Sequence, residues 1–100
     1  MNKEKKYYYI RLNPPRPSFA QDLTEEEKKI MQEHGAYWRD LQAKGYVLVF
    51  GPVLDPKGVF GVGIIEVEDE SLLVEFEKND PALKAGNTYE VYPMRAVTKG

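Results

Sequence analysis

The run from Leu23 to Gly45, LTEEEKKIMQEHGAYWRDLQAKG, constrains the fold most, because it keeps one helical period longer than any other segment and carries the chain's single histidine. Thr24 followed three residues later by Glu27 reads as a capping box, and Glu25 and Glu26 add negative charge at the positive end of the helix dipole. Gly45, just after Lys44, supplies a left-handed stop. At about 100° per residue, Ile30, Met31, Tyr37, Trp38 and Leu41 fall on one face, with Lys28, Lys29, Glu33, Asp40 and Gln42 opposite. His34 sits in the middle of the apolar face, so its imidazole points at whatever the helix covers. The ordinary fate of such a histidine is a core position bonded to a carbonyl or a water.

The segments around this helix read as strands and turns. Lys6 to Leu12, KYYYIRL, is aromatic and branched, as a strand requires. The following NPPRPSFAQD carries three prolines and predicts an extended surface loop. Tyr46 to Leu54 and Val59 to Glu68 read as a second and third strand. Asp55-Pro56-Lys57-Gly58 between them suits a type I turn and makes them a hairpin. Gly51, Gly61 and Gly63 inside these strands call for a bulge or a closely approaching group. Asp69 or Ser71 caps a second helix that runs to Asp80 and buries Leu72, Leu73 and Phe76. Pro81 to Gly86 forms a short turn, and Thr88 to Val97 a last strand that Pro93 assigns to an edge or a bulge.

The order strand, helix, strand, strand, helix, strand predicts an α+β fold of the ferredoxin-like, split βαβ kind, with an antiparallel sheet and both helices on one face. Residues 1–100 have the length of one domain. Tyr7 to Ile10, Val47 to Phe50, and Val62, Ile64 and Ile65 put apolar groups on both faces of the sheet, and the chain has no element left to cover the second. A second copy packed sheet to sheet, a two-fold homodimer, is the expected cover.

Composition narrows the function classes. A net charge of −2 gives no electrostatic reason for a nucleic-acid partner. Lys57 to Val62 weakly resembles the stretch with which RNA-recognition motifs stack bases, but a small residue takes the second stacking position. No apolar run approaches the roughly 20 residues of a membrane span, and the N-terminal residues lack the pattern of a signal peptide, so a cytoplasmic protein without a membrane partner is expected. The absence of cysteine removes disulfides and thiolate chemistry, and one histidine makes a zinc centre a poor fit. No metal or other cofactor is expected.

Asp80 is the second residue of chemical interest. A carboxylate at a helix C-terminus faces the negative end of the dipole. Either Asp80-Pro81 simply makes a turn, or Asp80 reaches His34 across the helix layer, fixes its tautomer and raises its basicity for general acid or base work. Arg16, in the proline loop with Phe19, is a candidate for holding an anionic substrate group, with a solvated arginine as the commoner case. Trp38 and Phe50 are candidates for the walls of a substrate pocket, or for plain core.

Arg16-Pro17-Ser18-Phe19, Met31-Gln32-Glu33-His34 with Tyr37-Trp38, Gly51-Pro52-Val53-Leu54-Asp55-Pro56, Asp80-Pro81 with Ala85-Gly86, and Tyr89-Glu90-Val91-Tyr92-Pro93-Met94, taken together and in this order, resemble the YciI-like (YCII-related) proteins over nearly the whole chain. The resemblance implies a ferredoxin-like fold that dimerises as an α/β barrel, and a His/Asp centre at His34 and Asp80. Relatives of that architecture include cofactor-free isomerases and monooxygenases, and the family itself includes a dehydrochlorinase. The expected function is therefore a cofactor-independent enzyme that uses His34 and Asp80 for proton transfer on a small aromatic or lactone-like substrate, of isomerase or lyase type. The alternative is a non-catalytic small-molecule binder or stress-response module that uses the same dimer pocket.

Overall fold

The computed structural model describes residues 4–99. Along the chain run β1 (Lys6–Asn13), α1 (Glu25–Ala43), β2 (Val47–Val53), β3 (Phe60–Val67), α2 (Ser71–Asn79), a 3-10 helix (Pro81–Ala85) and β4 (Thr88–Met94). This is the expected β-α-β-β-α-β order. The strands form one antiparallel sheet in the order β2-β3-β1-β4. Pro93 lies on the edge strand β4, where a missing N–H is best tolerated. Among the described residues, no helix is long and apolar enough to cross a membrane.

Local chemistry sets the ends of α1 as anticipated. Thr24 Oγ1 accepts from Glu27 N at 3.1 Å, and Glu27 Oε1 accepts from Thr24 N at 2.9 Å, closing the capping box. Gly45 follows the helix with φ of +91°, a value that favours glycine. Trp38 and Leu41 from α1 and Phe76 from α2 pack with Tyr8, Ile10, Val47, Ile65 and Val67 in one core, so both helices cover the same sheet face. At α2 the expected cap is displaced: Glu70 holds the N-cap position without a side-chain capping bond, and Asp69, one residue earlier, makes a local turn in which its Oδ1 accepts from Ser71 N at 2.9 Å.

Two features depart from the sequence reading. The proline loop is not extended: Phe19 N bonds to Arg16 O, and Gln21 N and Asp22 N both bond to Ser18 O, so the chain coils into a turn. Pro17 suits the start of such a turn, Ser18 Oγ donates to Asp22 Oδ2 at 2.6 Å, and the turn drives Phe19 into the interior, where it is 5% exposed. The second is a bulge in β2. Val47 pairs with Ile65 and Val49 with Ile64, so Leu48 is an extra residue and the side-chain alternation reverses beyond it. Val47 and Phe50, an odd number of positions apart, thereby both face the helices.

The opposite face of the sheet carries Tyr9, Val49, Ile64, Tyr92 and Met94, assigned by register and alternation. Nothing among the described residues covers it: Val49 remains 58% exposed and Tyr92 48%.

Candidate functional site

Asp80 lies where α2 ends and the 3-10 helix begins, with φ −75° and ψ 120°, so that it caps the short helix: Oδ1 accepts from Ala82 N at 2.9 Å, and Pro81 takes the first helical position. The side chain is also a junction. His34 Nδ1 lies 2.8 Å from Oδ1, Trp38 Nε1 donates to Oδ2 at 2.7 Å, and the Tyr89 hydroxyl donates to the same oxygen. Asp80 is 2% exposed, yet each carboxylate oxygen has two partners. The structure thus brings His34 and Asp80 together across 46 positions of sequence.

The electrostatics follow from that arrangement. Burial pushes the Asp80 pKa up, but the hydrogen bond and charge of His34, with the Tyr89 and Trp38 bonds, outweigh it and hold the carboxyl below its ordinary value. Burial, then the Asp80 charge, raises Tyr89, so its hydroxyl stays a donor. Tyr37, which donates to Phe76 O at 3.0 Å, is pushed up to about 12 by burial and by the same charge. An ionised carboxylate only accepts, so the proton between the two groups belongs to His34 Nδ1. The nitrogen left to exchange a proton is Nε2, which has no partner among the described residues.

Beside His34 is a half-open cavity of about 360 Å³, walled by Phe19, Met31, Trp38, Phe50 and Phe60, with Asn87 and Arg39 as further polar members. His34 forms part of the wall, and its side chain keeps 16% exposure. Of the expected site residues, Trp38 and Phe50 also line the cavity, their rings 5.7 Å apart, while Asp80 stands behind His34. Among the described residues, no group of three or more acidic or imidazole side chains is placed to hold a metal ion.

Trp38 explains one of the strand glycines. A Cβ on Gly63 would lie 2.2 Å from Trp38 Cζ3, so the indole packs directly on bare backbone. The Nε1 bond to Asp80 stops the ring from moving aside. Gly63→Ala is accordingly expected to cost at least the ~1–3 kcal/mol typical of overpacking, read as a lower urea midpoint; a midpoint within error of wild type would show that the indole can shift.

Arg16 is not brought to the cavity. Its guanidinium reaches Glu27 at 2.8 and 3.0 Å and Asp22 at 2.9 Å, and lies over the Phe19 ring. Its bond, with that of the Thr24 backbone, holds Glu27 down at about 2. Arg16 therefore clasps the proline turn to the start of α1. The cation at the cavity is Arg39, which the sequence reading passed over, and Tyr89 and Asn87 were not singled out either. Strand alternation would have turned Tyr89 inward with Leu12, its partner in the sheet. Asn87 follows Gly86 and carries only the signature of a turn.

Fold and site define a class: a ferredoxin-like α+β protein whose helix layer holds a buried carboxylate and a histidine at the wall of an apolar cavity. The chain belongs to the YCII-related domain family, whose pattern matches residues 7–98. Its fold is similar to that of 5-chloro-2-hydroxyhydroquinone dehydrochlorinase (TftG) from Burkholderia phenoliruptrix AC1100, solved in complex with 2,5-dihydroxybenzoquinone. That match has 24% identity and a TM-score of 0.64, and covers 88% of this chain and 93% of that one. An uncharacterised protein from Thermotoga maritima matches at 8% identity and TM-score 0.56, over 92% of this chain and all of the other. An antibiotic biosynthesis monooxygenase matches at 15% and 0.51, over 92% and 99%. No curated protein matches in sequence. At these identities the likenesses establish the fold.

Proposed function

We propose that the protein is a cofactor-independent enzyme in which His34, oriented by Asp80, moves a proton on a small ring-bearing substrate, in an isomerisation or an elimination. The observation that carries this is the Asp80 junction: an ionised, buried carboxylate fixes Nδ1 of His34 and leaves Nε2 as the exchangeable nitrogen beside an apolar cavity. A positive charge formed on the ring when Nε2 takes a proton is stabilised by the carboxylate 2.8 Å away. In an elimination, Nε2 accepts the proton, the electron pair closes a double bond and a halide departs, so no external oxidant is needed. The named activity of the Burkholderia neighbour, a dehydrochlorinase, supports reactions of this type.

The test uses that neighbour's substrate, 5-chloro-2-hydroxyhydroquinone, incubated anaerobically in D2O with wild type and with His34→Gln. Chloride release or ring deuteration above the protein-free rate, lost in the variant, supports the reading. Neither reaction with wild type, or equal rates in both proteins, overturns it.

One observation favours a binding module instead: three of the four partners of Asp80, namely Trp38, Tyr89 and the Ala82 N–H, belong to the framework, which is the pattern of a structural carboxylate. A ligand recovered unchanged, with an affinity that protonation of His34 does not alter, supports that alternative.

The proposal includes a homodimer packed through the uncovered sheet face around Tyr9, Val49, Ile64 and Tyr92, because that much apolar surface is unfavourable in water. Light scattering is expected to give twice the chain mass for wild type and the single mass for Ile64→Glu. A monomeric wild type at micromolar concentration refutes the dimer.

A further inference from the structure

Asn87 is a buried polar side chain that the proton-transfer scheme does not use. It is 4% exposed and lines the cavity. The orientation of its amide is fixed from outside, because Nδ2 donates to Ala82 O at 2.9 Å, and a backbone carbonyl only accepts. The second amide hydrogen is taken by Met31 Sδ at 3.6 Å. Both donors are thus committed. Oδ1 has no hydrogen-bond partner among the described residues, although no buried side-chain oxygen or nitrogen among them is both sealed from solvent and unpaired. The two facts together leave Oδ1 unpaired and accessible, on a residue that lines the cavity.

We infer that Asn87 Oδ1 is a recognition point that accepts a hydrogen bond from a hydroxyl group on the ligand's ring, and that the cavity therefore selects hydroxylated aromatic compounds over their ethers. This inference deepens the reading given under Proposed function and rests on the same cavity being the ligand site. The walls supply the preference for a ring. Trp38, Phe50 and Phe60 present flat apolar surface, and about 360 Å³ is near the small end of ligand pockets, enough for one substituted ring where an apolar cavity of about 150 Å³ takes up benzene. An accessible carbonyl oxygen in an unfilled cavity is hydrated by solvent. A ligand that displaces the water must return the hydrogen bond or leave a buried carbonyl unpaired. A methyl ether has no hydrogen to return, whereas a phenol does.

The test compares hydroquinone with 1,4-dimethoxybenzene, titrated into wild-type protein and followed by amide chemical shifts of the cavity residues. Hydroquinone is expected to bind about 5- to 150-fold more tightly, the range for leaving one buried group unpaired. Asn87→Leu, which keeps the volume and removes the acceptor, is expected to bring the two affinities to within about twofold of each other, the size of a context effect on one contact. Should Asn87→Leu fail to fold, Asn87→Ala removes the same acceptor without added bulk, Ala82 O keeping its bond from the backbone N–H of residue 87; it is expected to lose the preference likewise, and a preference that survives in it also overturns the assignment. Equal affinities in wild type, no binding of hydroquinone up to its solubility limit, or a preference that survives in Asn87→Leu overturns the assignment. Binding is read without turnover, so the experiment stands apart from the one on His34. A His34→Gln protein with no activity and an intact hydroquinone preference separates the two claims, and so does an active protein with none.

Discussion

Asp80→Asn is expected to lower the unfolding free energy by about 3–5 kcal/mol at neutral pH, the cost of breaking a buried pair by altering one partner. That is a large share of the roughly 5–15 kcal/mol that holds a domain of this size. The expectation follows from counting donors. Four of them converge on Asp80: His34 Nδ1 and Ala82 N on one oxygen, Trp38 Nε1 and Tyr89 Oη on the other. An asparagine keeps one of those oxygens and turns an NH2 towards the other pair, so whichever way it sits, one fixed donor, Ala82 N–H or Trp38 Nε1–H, meets a donor, and His34 or Tyr89 must turn acceptor. Asp80→Ala leaves all four without an acceptor and is expected to be worse. Urea unfolding followed by the fluorescence of Trp38, the single tryptophan, measures the change directly. A loss below about 1 kcal/mol would mean that water reaches the junction and replaces the carboxylate.

The same junction sets a pH dependence with a definite sign. The folded-state pKa of Asp80 is depressed below the ordinary 3.8, so the carboxylate binds its proton less readily in the folded protein than in the unfolded chain. Its stabilisation is therefore complete above pH 3.8 and is lost as the pH falls through the lower folded value. A protonated Asp80 resembles asparagine in having one acceptor and one donor. The stability gap between wild type and Asp80→Asn is accordingly expected to be widest near neutrality and to close in acid.

What the sequence made legible was local or periodic. Thr24 and Glu27 are three residues apart and cap one helix, and His34 takes its direction from a period that its neighbours repeat. The strand and helix order prunes the topologies to few, and the ferredoxin-like arrangement follows. The junction was legible only as one of two options. Asp-Pro at a helix end makes a turn in any case, and the second role depends on partners 46, 42 and 9 positions away. In the structure the same side chain does both. Phe50 joins the cavity through an inserted residue at Leu48, and alternation alone does not locate a bulge, because both parities of β2 carry apolar side chains. Arg16 stands away from the cavity, and Arg39 lines it, for a similar reason. Charge type was readable, whereas the carboxylates that claim the Arg16 guanidinium were not, and the turn at Ser18 delivers Arg16 to Asp22 and Glu27. Asn87 escaped notice because its significance lies in two committed hydrogens and one uncommitted oxygen.

His34→Gln is expected to reduce proton transfer to the tested substrate by about 10²–10⁴-fold, the usual contribution of a positioned acid or base. The fold is expected to persist. Glutamine is a good helix former in the middle of α1, its amide N–H can still donate to Asp80, and the histidine side chain is not fully buried, so the change in unfolding free energy should stay near 1 kcal/mol. The two substitutions at the pair therefore diverge: one removes the exchangeable nitrogen from an intact framework, the other loosens the framework that aims it. If Asp80 acts on the reaction only through His34, adding Asp80→Asn to His34→Gln costs stability but no further activity, a non-additivity that independent sites do not show. Activity that persists in His34→Gln, with the core signals of the folded protein unchanged, would leave Asp80 as a purely structural junction. The cavity would then be a binding site whose selectivity rests on Asn87.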